Sequence, residues 1–136
     1  MHSFEQIRSH IGGRFRLRTN DPYLISFDLP VGDGGRIQGL YLAELETNDE
    51  RKVLRISTPI APLDEADSIR SLRFNWTQRS GFLAVGELDG TDYLHLCENR
   101  PYAFLDRAEL DRLIDQLGPL ADQLARIISQ SDKDLT

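Results

Sequence analysis

His95 and Cys97 are the side chains of this chain whose types and spacing come nearest to chemistry. Two positions apart in "YLHLC", they leave the same face of a β-strand, where an imidazole and a thiol can approach one metal ion or act as base and nucleophile. The pair has no company. A zinc site takes about four ligands, yet the other histidines, His2 and His10, lie at the far end of the chain, and no Cys-x-x-Cys or His-x-x-x-His spacing occurs. Since buried free cysteines are commonly inert, the pair reads as ordinary strand residues. No catalytic residue, cofactor site or metal ligand is assigned, and a small metal protein or enzyme using His95 and Cys97 stays open as an alternative.

Other chemical signals are weaker. "GDGG" at residues 32–35 has the glycines of a phosphate loop but neither the Gly-Lys-Ser/Thr ending nor a following helix, so it reads as a hairpin connection. Glu44 and Glu46 on one strand face, and Asp106, Asp111, Asp115 and Asp122 along a terminal helix, read as solvated surface. Asn75-Trp76-Thr77 matches a glycosylation acceptor by chance in a chain without an export signal.

The elements that would position these residues follow from periodicity. Ser3 and Gln6 form a capping box ahead of Phe4, Ile7 and Ile11, and Gly12-Gly13 closes a short first helix. "RFRLR" and "YLISFDL", with Asp21-Pro22 between them, make two strands or one bent strand; "IQGLYLAELE" and "KVLRISTPI" continue an antiparallel meander. A second helix is expected from near Asp64 to before Gly81. Phe74 and Trp76 do not both face inward two positions apart, and Trp76 is expected in the core, with a partner interface as its alternative. "FLAVGEL" and "DYLHLCE" flank Asp89-Gly90, a type I′ hairpin signal. Asp106 with Glu109 then caps a last helix whose Leu113, Leu117, Leu120, Leu124 and Ile127 form one stripe across Gly118-Pro119, which predicts a bent helix or two collinear helices rather than a loop that resets the face.

The reading is α+β in the order α-β-β-β-α-β-β-α: a five-stranded antiparallel sheet with helices packed on it. With 136 residues and 40% apolar content, the chain fits a single domain over residues 1–130 and a short polar tail at 131–136. A net charge of −6, with Lys52 and Lys133 the only lysines, argues against general nucleic-acid binding. One cysteine, no signal-peptide pattern and no long apolar run indicate a cytoplasmic protein without a membrane partner. The arginines of "RFRLR" protect a sheet edge or attract an acidic partner.

The segment "SIRSLRFNWTQRSGFLAVGELDGTDYLHLCENRPYAFLDRAELDRLIDQLGPLADQLARI" resembles the second half of class I type III secretion chaperones and of the related YbjN-like proteins. The shared pattern is a helix ending in Leu72 and Asn75, Gly81 opening a strand, the Asp89-Gly90 hairpin, Leu94 and Leu96, and Leu105-Asp106 starting an amphipathic helix. The likeness implies a peptide-binding chaperone without enzymatic activity, holding an extended segment of a client or effector protein. It implies a homodimer joined through the second helix and the neighbouring strand, with Ile69, Leu72, Phe74 and Trp76 as interface candidates. Phe4, Ile7, Phe15 and Leu17 become the client-binding candidates. A regulatory or interaction protein of YbjN-like kind, with the same fold and no tie to secretion, is the second reading.

Overall fold

The computed structural model describes residues 1–32 and 34–134, with the backbone alone over 129–134. Helix α1 (Phe4–Gly12) is followed by strands β1 (Leu17–Asp21), β2 (Leu24–Pro30), β3 (Ile37–Glu46) and β4 (Lys52–Pro62). Helix α2 (Ser68–Thr77), strands β5 (Phe82–Leu88) and β6 (Thr91–Pro101), and helix α3 (Arg107–Asp134) complete the chain. All strands are antiparallel neighbours in one sheet of order β1-β2-β3-β4-β6-β5. The α+β class and its helix order are those expected. The sheet has six strands because "RFRLRTNDPYLISFDL" resolves into two, and the first begins at Leu17, leaving Phe15 in the turn after α1.

Alternation divides the sheet. Ile25, Phe27 and Leu29 of β2, Leu40 and Leu42 of β3, Leu54 and Ile56 of β4, and Leu94 and Leu96 of β6 share one face and are buried. Against them pack Phe4, Ile7 and Ile11 of α1 and Leu110, Leu113, Ile114, Leu117 and Ala121 of α3, in one continuous core. The opposite face carries Tyr41, Arg55, Ser57, His95 and Cys97 and none of these helix-packing positions.

Helix α1 starts where Ser3 accepts a hydrogen bond from the Gln6 amide, as the capping pattern requires. Its far end is clamped to α3, where His10 Nε2 and Arg14 Nη1 donate to Asp111 Oδ1 at 2.8 and 2.7 Å. Burial works against ionisation of Asp111, but these two donors outweigh it and hold its carboxyl below the usual range. Asp89 and Gly90, with φ of 52° and 82°, form the two-residue turn between β5 and β6.

Helix α3 runs through Gly118-Pro119 as one element, and the physical reason is local. A Cβ on Gly118 would stand 2.2 Å from Leu29 Cδ2 of β2, so the missing side chain is what lets the helix lie close against the sheet. Pro119 and Asp115 are both exposed, so the Asp115 carbonyl that loses its donor lies on the water side. Beyond the proline the buried row passes to Ala121, with Leu124 and Ile128 packed against the core. Ile127, expected in the stripe, is exposed instead. The helix reaches Asp134, so residues 131–134 of the expected tail are helical, and residues 135–136 lie outside the described residues.

Candidate interaction surface

Helix α2 begins later than its acidic approach suggested. Leu63–Glu65 form a separate 3-10 turn, Ala66 is extended, and Asp67 caps the helix by accepting from the amides of Ile69 and Arg70 at 3.0 and 3.1 Å. At 3.6 residues per turn, Ile69, Leu72 and Trp76 then fall in one row while Phe74 falls on the other side. The row faces outward: Ile69 is 64%, Leu72 69% and Trp76 90% exposed. Trp76 is therefore not a core residue. Phe74 packs against the core, so of the four interface candidates it is the one already occupied within its own chain.

What fixes α2 in this attitude is Asn75. Its Nδ2 donates to the Leu83 carbonyl at 3.0 Å and its Oδ1 accepts from the Leu83 amide at 2.6 Å, so one side chain takes the place of a neighbouring strand at the outer edge of β5. Glu98 secures the same corner, accepting from the Gly81 amide at 2.7 Å and from Arg100 at 2.6 Å. The anchoring turns Phe74 inward and leaves Ile69, Leu72 and Trp76 without cover. Exposed Val85 lies on β5, the strand that α2 flanks.

The charges around this row are ordered. Asp64, Glu65 and Asp67 precede it, Arg70 and Arg73 lie within its span and Arg79 follows, with no acidic residue between Ser68 and Arg79. Arg70 Nε lies 3.8 Å from Asp67 Oδ2 in the same helix.

The proposed client residues separate into two kinds. Phe4 and Ile7 are 3% and 0% exposed and belong to the core beneath α1, so they offer no open groove. One face of a short amphipathic helix must meet the sheet for it to be held at all, and Phe4 and Ile7 lie on that face with Ile11. Phe15 and Leu17 are half-buried. Phe15 stacks on Phe27 with ring centroids 4.4 Å apart, and the Arg14 guanidinium lies 4.8 Å above its ring. A bulge between Leu17 and Thr19 and the Arg18–Asp28 ion pair at 3.0 Å interrupt and charge the β1 edge.

His95 and Cys97 stand together on the open face of β6, as their spacing predicted, and both are buried. Burial pushes the Cys97 thiol up to about 11, with Arg55 pulling the other way, so a thiolate is scarce at neutral pH. Among the described residues no cluster of three or more His, Cys, Asp or Glu is placed to hold a metal ion. Arg55 and Ser57 of β4, which the register sets opposite Asn99 and Cys97, join them in a shallow recess. Sequence spacing within β6 found two members of that cluster; the others depend on strand register. No helix among the described residues is long and apolar enough to cross a membrane.

A comparison with protein-family models finds no match, and neither does one with curated proteins.

Proposed function

We propose that this chain is a cytoplasmic, non-catalytic protein-binding module of secretion-chaperone type that pairs with a second copy through α2. The observation that carries the reading is the outward row of Ile69, Leu72 and Trp76, an aromatic anchor beside aliphatic neighbours on a helix otherwise fixed in place. The charge order favours self-pairing. In an antiparallel twofold contact the acidic approach of one α2, Asp64 to Asp67, faces Arg73 and Arg79 of the other, and the same pair of contacts is made twice.

In this reading a client segment lies along β1 and meets Phe15 and Leu17, while Phe4 and Ile7 support that surface from below. Exposed arginines such as Arg16 steer acidic clients toward it.

Sedimentation of the wild type and of Leu72→Glu/Trp76→Glu tests the pairing. The expected result is a dimer at tens of micromolar and a monomer for the double variant, with unchanged circular dichroism. A wild type that is monomeric at that concentration overturns it. Client holding is tested separately, by capture from the native cell extract with wild type and with Phe15→Asp/Leu17→Asp. One abundant partner lost in that variant supports the chaperone reading, and a partner equally retained by it removes β1 from the site.

A further inference from the structure

We propose that the part of α3 beyond Pro119 is a strap that opens as a unit, and that the Arg36–Asp122 ion pair is its latch. The device sits over the exit of β2, toward the opposite edge of the sheet from β5, and does not rest on the chaperone reading. The two halves of the helix are held differently. Before the proline, Leu110, Leu113, Ile114 and Leu117 are 0–3% exposed. After it, among the described side chains, only Ala121 and Asp122 are buried, a methyl group and a carboxylate, while Leu120, Leu124 and Ile128 are half-buried. Apolar burial is the main term that holds a helix on a sheet, so the second half is held more weakly. The halves are also joined by one hydrogen bond fewer, since Pro119 offers no N–H to the Asp115 carbonyl.

What takes the place of apolar contact is Asp122, 8% exposed. Arg36, next to the start of β3, donates from Nε to its Oδ1 at 3.2 Å and from Nη2 to its Oδ2 at 3.3 Å. Arg126 Nη2 lies 3.4 Å from the same Oδ2, but Arg126 belongs to the second half of α3 and moves with it. Among the described residues Arg36 is therefore the partner that ties Asp122 to the sheet. The loop before β3 is shaped for this grip. Val31, 3% exposed, donates from its amide to the Arg36 carbonyl at 3.0 Å. Gly32 has a φ of 60°, and a Cβ there would stand 2.3 Å from Arg36 Nη2 and 3.7 Å from Asp122 Oδ2.

A buried carboxylate that loses its outside partner is better placed in water, so removing Arg36 turns Asp122 from an anchor into a group that favours the open state. Opening leaves Gly118 as the pivot, where Leu29 and Val31 crowd the helix, and it uncovers the exit of β2. The Arg36 side chain is 44% exposed, so dissolved ions reach the pair and ionic strength becomes the input that sets the open fraction.

The test is amide hydrogen exchange of the full chain by NMR, at one pH and at low and high potassium chloride. In the wild type, amides 121–128 should share one protection factor, about tenfold or more below those of 111–117. Arg36→Gln should lower protection of 121–128 about tenfold further and leave 111–117 unmoved, and high salt should act in the same direction. Pro119→Ala, at an exposed position, returns a donor to the Asp115 carbonyl and should bring the two stretches closer together. Equal protection of the two stretches in the wild type overturns the strap. Protection that declines residue by residue toward the C-terminus is end fraying and overturns it as well. Protection of 121–128 that neither Arg36→Gln nor salt changes overturns the latch. If Arg36→Gln does not fold, the wild-type comparison and its salt response decide the matter.

Discussion

Gly118 shows how far one missing methyl can reach. In an exposed helix, glycine to alanine gains roughly 1 kcal/mol of propensity. Here the new Cβ meets Leu29 within the core, and overpacking of that kind costs about 1–3 kcal/mol, so Gly118→Ala should be net destabilising in urea unfolding. A stabilised variant would show that α3 stands farther from β2 than the structure places it. Asp111 makes a second case. Its folded pKa lies below the unfolded value, so its contribution is present above the ordinary carboxylate value of about 3.9 and is lost as pH falls through the folded value. Asp111→Asn should flatten that acid limb of the stability profile while lowering stability at pH 7. An unchanged limb would assign the acid sensitivity to other carboxylates.

At the scale of elements, α2 is held by few contacts and each can be separated from the others. Removing the Asn75 side chain takes two hydrogen bonds from Leu83 and opens the β5 edge. Asn75→Ala should cost about 1–3 kcal/mol and speed exchange of the Leu83 amide more than those of central β4. Equal protection in the variant would mean that water or a partner already serves that edge. The two faces of α2 should also respond oppositely. Phe74→Ala removes packing from the core and lowers the unfolding midpoint, whereas Leu72→Ala changes monomer stability by within roughly 0.5 kcal/mol, because its side chain is 69% exposed. Equal losses at both positions would place Leu72 inside the fold.

For the whole molecule, the dimer proposed through the α2 face would link folding to association. The unfolding temperature should then rise with protein concentration, and the rise should disappear in Leu72→Glu/Trp76→Glu. Because the acidic and basic ends of α2 are exposed, salt should slow association more than it shortens the lifetime of the complex. A concentration-independent midpoint for the wild type would leave the chain a monomer in solution.

The fold was legible because its signals are local and agree with one another: the Ser3 and Asp106 caps, period-two strands and Asp89-Gly90 each act within a few residues of chain. Burial of Leu110, Leu113 and Leu117 was likewise written in their spacing. Spacing alone left Phe15 in a strand, Trp76 in the core and Ile127 in the stripe, since a period names a face but not what covers it. For α2 the cover was decided by Asn75 reaching a strand edge eight residues onward. For the recess, His95 and Cys97 share a face by their own spacing, which the chain determines by itself. Arg55 and Ser57 reach them only through the β4–β6 register, a pairing between segments some forty residues apart. Local chemistry in the sequence sets which elements form and which way they alternate; the joining of distant side chains into a surface or a site belongs to the tertiary structure, because only there do the strands acquire neighbours.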